Sequence, residues 1–229
     1  MRYNYNHMKN SYTIPVAIII GGIIVAVSVY ASMPKAPAGA MGNPSLVRPV
    51  SSNDHIFGNP AAKVVVVEYA DFDCEYCKDF NEMMHQIIAN EGTNGQIAWV
   101  YRQFPLTEIH PNALAHARAA ECIAQTAGND AFWKFEAALF NAQPVDPASY
   151  GALAKSVGVS SDAFASCYAS AETTAINTRI MGDRKNALDM GALGTPYSII
   201  LVAGKPPVEM AGGYSYDAAK EIIDQALGK

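Results

Sequence analysis

The chain of 229 residues has only four cysteines and two tryptophans, and charged side chains make up 16 % of it. Charge that low is unusual for a fully soluble protein. Net charge is −5 and no basic run occurs, which excludes the electrostatic footprint of a nucleic-acid binder. No internal repeat is present, so a solenoid is excluded. Only one close cysteine pair exists, Cys74-x-x-Cys77, and no histidines stand at ligand spacing. A structural zinc needs two more nitrogen or sulfur ligands, so metal is the weaker reading of that pair. What remains is half apolar, enough for one sizeable core with appendages.

The amino-terminal segment bears on the compartment. Arg2 and Lys9 precede a run, residues 14–31, that carries no charge. Its length lies at the lower edge of a membrane-spanning helix and above the usual signal-peptide core. The cations place a cytoplasmic head at residues 1–13 and send the remainder across the membrane. Length favours a retained anchor; the alternative is a cleaved signal peptide ending near Val29-Tyr30-Ala31, which would release a secreted form. Either way the expected location is extracytoplasmic, periplasmic or at the cell surface, where disulfides persist. Residues 32–54, rich in Pro, Ala, Gly, Ser and Asn, read as a flexible linker.

The domain is expected at residues 55–229. A turn or short edge strand at 56–60 leads to Val64-Val65-Val66-Val67, four β-branched residues that fit a strand buried on both faces. Phe80, Met83, Met84, Ile87 and Ile88 recur at helical spacing. Ile97, Trp99 and Tyr101 mark a second core strand that Pro105 stops. An all-helical block follows, inserted at about residues 107–192. Its helices are closed by Gly128 and Gly158, with Asn129, Asp146-Pro147 and Ser161 as start signals, and a longer helix is expected from about 171 to 190. Residues 197–202 and 208–211 read as strands, and Ala219, Ile222, Ile223, Ala226 and Leu227 line a closing helix. A β-α-β-β-α frame interrupted once by helices is an α/β fold.

The chemistry centres on the cysteine pair. Thiol–disulfide exchange needs a thiolate, and Cys74 at a helix start meets unpaired amides and the favourable end of the helix dipole. Cys74 is therefore the attacking sulfur, and Cys77, one turn inside, the resolving one. Glu68 follows the four valines on the buried strand, where a carboxylate is costly to ionise. Its pKa should rise, fitting it to exchange protons with Cys77; the plainer alternative is a pairing with a lysine beyond the buried part. Cys122 and Cys167 can bridge two helices of the insert as a structural disulfide, or stay as buried free thiols. His110 and His116 read as capping or surface groups.

Cys74-Glu75-Tyr76-Cys77 after Glu68-Tyr69-Ala70-Asp71-Phe72, with Gly194-Thr195-Pro196 beyond the helical block and Phe132-Trp133 within it, resembles the DsbA-like thiol–disulfide oxidoreductases. The resemblance covers about residues 56–227 and implies a thioredoxin-like fold with a helical insertion. It implies that Pro196 is cis and lies against the cysteines, and that Thr195 offers backbone groups to a bound peptide. It further implies an enzyme without a bound cofactor. Such an enzyme donates its disulfide to thiol-containing exported proteins and is reoxidised by a quinone-linked membrane partner. One departure stands out. Strongly oxidising members typically carry Pro-His between the cysteines, and this chain has Glu75-Tyr76. A carboxylate there is expected to raise the Cys74 pKa, making the disulfide less oxidising. A reductase or isomerase is the alternative; isomerases usually dimerise through an added domain, and no such segment is visible. A tethered peptide-binding module with incidental thiols is the reading from another class.

Overall fold

The computed structural model describes residues 42–229, apart from residues 93, 173 and 174. The expected head at 1–13, the anchor or signal segment at 14–31 and the first part of the linker lie outside the described residues. Among the described residues, no helix is long and apolar enough to cross a membrane.

The chain forms five strands: β1 (His55–Gly58), β2 (Val64–Ala70), β3 (Ile97–Gln103), β4 (Tyr197–Val202) and β5 (Val208–Ala211). They make one sheet in the order β1-β3-β2-β4-β5. β2 lies at its centre, parallel to β3 and antiparallel to β4. A parallel neighbour requires a crossover, which α1 (Glu75–Glu91) supplies. Between β3 and β4 come α2 (Ala113–Ala127), α3 (Asn129–Asn141), α4 (Tyr150–Ser156), α5 (Ser161–Ser170) and α6 (Ala175–Asp189). α7 (Tyr216–Leu227) closes the chain.

The valine run is buried on both faces because both are covered. Val64 and Val66 pack with Phe80, Met84 and Ile87 of α1 and Ile223 of α7. Val67 and Tyr69 point the other way, into a second cluster with Ala187 of α6 and Met190. Each fully buried aliphatic side chain contributes about 1.5–3 kcal/mol relative to exposure, which anchors β2 in the core. Glu68 has the parity of Val64 and Val66, so it faces the side of α1. Its backbone registers with Tyr101 on one side and Ser198 on the other.

Three details differ from the sequence expectations. First, residues 44–54 are not linker but part of the domain. Arg102 of β3 is wholly buried, and a guanidinium without water needs partners. It finds them in Asp54 (Nε–Oδ1 2.9 Å), Tyr69 Oη at 2.8 Å and the carbonyls of Arg48 at 3.1 Å and Pro49 at 3.3 Å. Asn186 of α6 completes the clasp, donating to the Leu46 carbonyl at 2.8 Å and accepting from the Arg48 amide at 3.0 Å. Second, Asn129 does not cap α3. Its side chain accepts from the Ile56 amide at 3.2 Å and donates to the Ile56 carbonyl at 2.8 Å, fastening the insert to β1. Third, the cap of α5 is Ser160, whose hydroxyl accepts from the Ala163 amide at 3.2 Å, and the last helix of the insert starts at Ala175. Asp146 caps its turn through the Ala148 amide at 2.9 Å.

Cys122 of α2 and Cys167 of α5 are joined by a disulfide, with Cα atoms 5.7 Å apart. The bond closes a separation of 45 residues. Replacing both by alanine should cost about 3–4 kcal/mol on the chain-entropy account. Denaturant unfolding with and without the substitution checks this, and the Cys74–Cys77 chemistry should survive below the unfolding transition.

Candidate active site

The two cysteines stand where β2 hands over to α1. Cys74 is the residue before the helix and keeps an extended backbone, and Cys77 sits in the first turn. The connecting loop is held from three directions. The Asp71 carboxylate accepts from the Asp73 amide at 2.8 Å, from the Leu106 amide at 2.7 Å and from His110 Nδ1 at 2.9 Å. Asp73 accepts from His116 Nε2 at 2.9 Å, and the other ring nitrogen of His116 takes the Tyr150 hydroxyl at 2.5 Å. Gln143 of the insert donates its amide to the carbonyls of Phe72 at 2.6 Å and Cys74 at 3.2 Å. The Thr195–Pro196 bond is cis, and the Thr195 carbonyl lies 3.5 Å from Cys74 Sγ. The chain therefore brings Cys74, Cys77, Thr195 and Pro196 together across 121 residues.

The two thiols differ in character. The Cys74 pKa is lowered to about 6. The hydrogen bond from Cys77 is the largest contribution, opposed by burial and reinforced by Thr195 and the backbone amides of Cys77 and Tyr76. Cys77 is pushed well up, by burial first and then by the hydrogen bond it gives and the charges of Cys74 and Glu68. Cys74 is thus a thiolate at neutral pH while Cys77 holds its proton. Glu75 is not among the leading influences on the Cys74 pKa. Glu75 and Tyr76 both point into solvent, with Tyr76 59 % exposed, and water screens a charge placed there. His110 adds to the picture: against the lowering effect of burial, Asp71 and then Asp73 and Cys74 raise its pKa.

Glu68 is wholly buried on the side of α1 and pairs with no lysine among the described residues. Trp99 Nε1 donates to its Oε2 at 2.9 Å, while Oε1 has no partner. Burial raises its pKa well above the carboxylate range, and the charge of Glu136 adds to the rise. Glu136, on α3, was not legible as a site residue because its position in the helix looks like any other polar one. It too is wholly buried, and burial lifts its pKa to about 7 against the pull of His85 and Asn81.

Relatives place this site in a known context. Solved structures with similar folds include α-DsbA1 of Wolbachia pipientis, with TM-score 0.69 and 22 % identity over 81 % of this chain and 96 % of that one. BdbD of Bacillus subtilis in its oxidised form aligns with TM-score 0.66 and 24 % identity over 80 % of this chain and 97 % of that chain. At these identities the likeness is one of fold. That fold is thioredoxin-like with a helical insertion, and it sets a cysteine pair at a helix start beside a cis-proline. The sequence model of the thioredoxin family matches residues 51–224, and the chain belongs to that family. Among curated proteins, the Na(+)/H(+) antiporter NhaA 1 of Mycolicibacterium gilvum is 33 % identical over 128 residues, 56 % of this chain and 19 % of that protein. NhaA 3 of Salinispora tropica is 38 % identical over 81 residues, 35 % of this chain and 12 % of that protein. The chain spans about a fifth or less of the length of these curated relatives.

A buried acid whose pKa is higher folded than unfolded is destabilising once ionised. For Glu136, stability should fall as pH rises from its unfolded pKa of 4.5 to its folded value of about 7, then level off. The loss corresponds to about 3 kcal/mol, of which Glu136→Gln should remove most. Urea midpoints of the reduced protein at pH 5 and pH 8 provide the check: the difference should shrink in the variant, and an unchanged difference would mean the carboxyl is not titrating there.

Proposed function

We propose that the protein is an extracytoplasmic thiol–disulfide oxidoreductase that donates the Cys74–Cys77 disulfide to thiol-containing exported proteins. The observation that carries the reading is the asymmetric cysteine pair beside the cis Thr195–Pro196 bond, with one sulfur favouring the thiolate and the other buried and protonated. A stabilised Cys74 thiolate makes the reduced form easier to reach and the disulfide more oxidising, which favours donation over reduction. The client thiolate attacks Cys74; a second client thiol then releases it from the mixed disulfide. Thr195 backbone groups are available to an extended client chain, as in strand addition. Tyr76, Ile109 and Leu193 expose large apolar side chains on the segments that carry the site, a surface suited to unfolded clients. Glu68 handles the proton of Cys77.

The uncharged run at residues 14–31 supports a membrane anchor, or a secreted form where it is cleaved. A membrane-bound, quinone-linked oxidase fits as the partner that restores the disulfide. The opposite direction, as a reductase or isomerase, uses the same atoms. Trapping free thiols in intact cells separates the two: Cys74–Cys77 should be mostly disulfide, and a mostly dithiol population would reverse the assignment. Cys77→Ala should accumulate mixed disulfides through Cys74, visible as adducts that reductant releases. Their absence would leave a tethered peptide-binding module as the better description.

A further inference from the structure

Beneath the cysteines, on the same face of the sheet as Glu68, several polar atoms are buried without a hydrogen-bond partner. Among the described residues these include Glu68 Oε1, Glu136 Oε2, Tyr101 Oη and Trp133 Nε1. They belong to one cluster. Trp99 donates to Glu68, and its ring lies 4.6 Å from Trp133 and 5.2 Å from His85, centroid to centroid. Trp133 is one helical turn before Glu136. Asn81 donates to Glu136 Oε1, and His85 Nε2 stands 3.8 Å from Oε2. Buried polar atoms that lack protein partners are the usual holders of internal water, which bridges two to four of them. The cluster also has an outlet. The His85 side chain is 32 % exposed and, with Phe57, Trp133 and Lys134, borders a surface pocket of about 490 Å³.

The exchange reaction creates a need for such an outlet. When a client thiolate attacks Cys74, the Cys74–Cys77 bond breaks and its electron pair leaves on Cys77. That sulfur is wholly buried, whereas Cys74, which the client engages, keeps a small exposure. Resting on the exchange reading above, we propose that Glu136 and His85 form the outer half of a proton relay that begins at Glu68 and opens at the His85 pocket. Glu68 gives its proton to the Cys77 thiolate and becomes a carboxylate. Glu136 then passes its own proton inward through water, which restores Glu68, and the proton lost from Glu136 is replaced from His85 or solvent at the pocket. Reoxidation runs the same transfers outward. The titratable groups around the relay are Glu68 from β2, Tyr101 from β3 and His85 from α1. Cys77 and Asp71 stand at its inner end, and Asp130 and Lys134 of α3 at the pocket mouth. Glu136 and His85 are positioning residues, since neither touches the reacting sulfurs.

The test is reduction of the oxidised full-length protein by dithiothreitol, followed by rapid thiol trapping from pH 5 to 9 in water and in heavy water. His85→Ala should slow the step by about tenfold, the low end for a proton-transfer group. It should also enlarge the solvent isotope effect, and imidazole in the buffer should restore the rate by refilling the pocket. His85→Gln, which keeps the side chain's bulk and polarity, should be equally slow, which separates proton transfer from packing. Glu136→Gln should erase an inflection of the rate near pH 7 while Cys74 still alkylates at the wild-type rate. Variants that keep the wild-type pH profile and isotope effect would overturn the relay and leave the exchange reading standing. A wild-type protein that dithiothreitol does not reduce at any pH would overturn both.

Discussion

Water is excluded from both faces of β2, and any charge carried there must be neutralised, paired or handed on. The site depends on that constraint. Glu68 and Cys77 hold their protons because neither can be solvated as an anion, whereas the Cys74 thiolate, about one turn earlier and less buried, is stabilised by the donors around it. On the opposite face the same cost is met by pairing. Arg102 remains charged only because Asp54, Tyr69 and two backbone carbonyls replace its water.

The loop that presents Cys74 shows how function is positioned by groups far away in the chain. Asp71 satisfies backbone amides on both sides of the site, Gln143 arrives from the insert, and His116 and Tyr150 form a chain that ends on Asp73. These contacts make the helical insert part of the frame that holds the cysteine loop. The thiolate is set by donors that are fixed and close, whereas Glu75 extends into solvent, where its field is screened.

Much of the frame was legible because it is written in local patterns. Four valines in a row, the helical spacing from Phe80 to Ile87 and the glycine at 128 each carry their meaning within a few residues, while the meaning of Thr195-Pro196 came from the family resemblance. Glu68 was readable because a carboxylate inside a buried strand is anomalous in itself. Glu136 was not, since a glutamate in an amphipathic helix is ordinary until the helix is docked. Asn129 failed for the same reason: its sequence position favours a cap, but the approach of β1 offers its amide two better partners. Residues 44–54 read as linker because pairing with a buried arginine 48 positions away leaves no periodic trace.

The sequence by itself determined the α/β frame, the close cysteine pair at a helix start, and the presence of a buried acid on the strand before it. Those follow from short-range stereochemistry and from the cost of burying charge, which any reader of the chain can apply. Only the tertiary structure decided where the domain begins, which second carboxylate shares the buried space with Glu68, and which donors hold the Cys74 thiolate. Each of those is a contact between residues distant in sequence, and a contact acquires its energy only when folding removes the water between its partners.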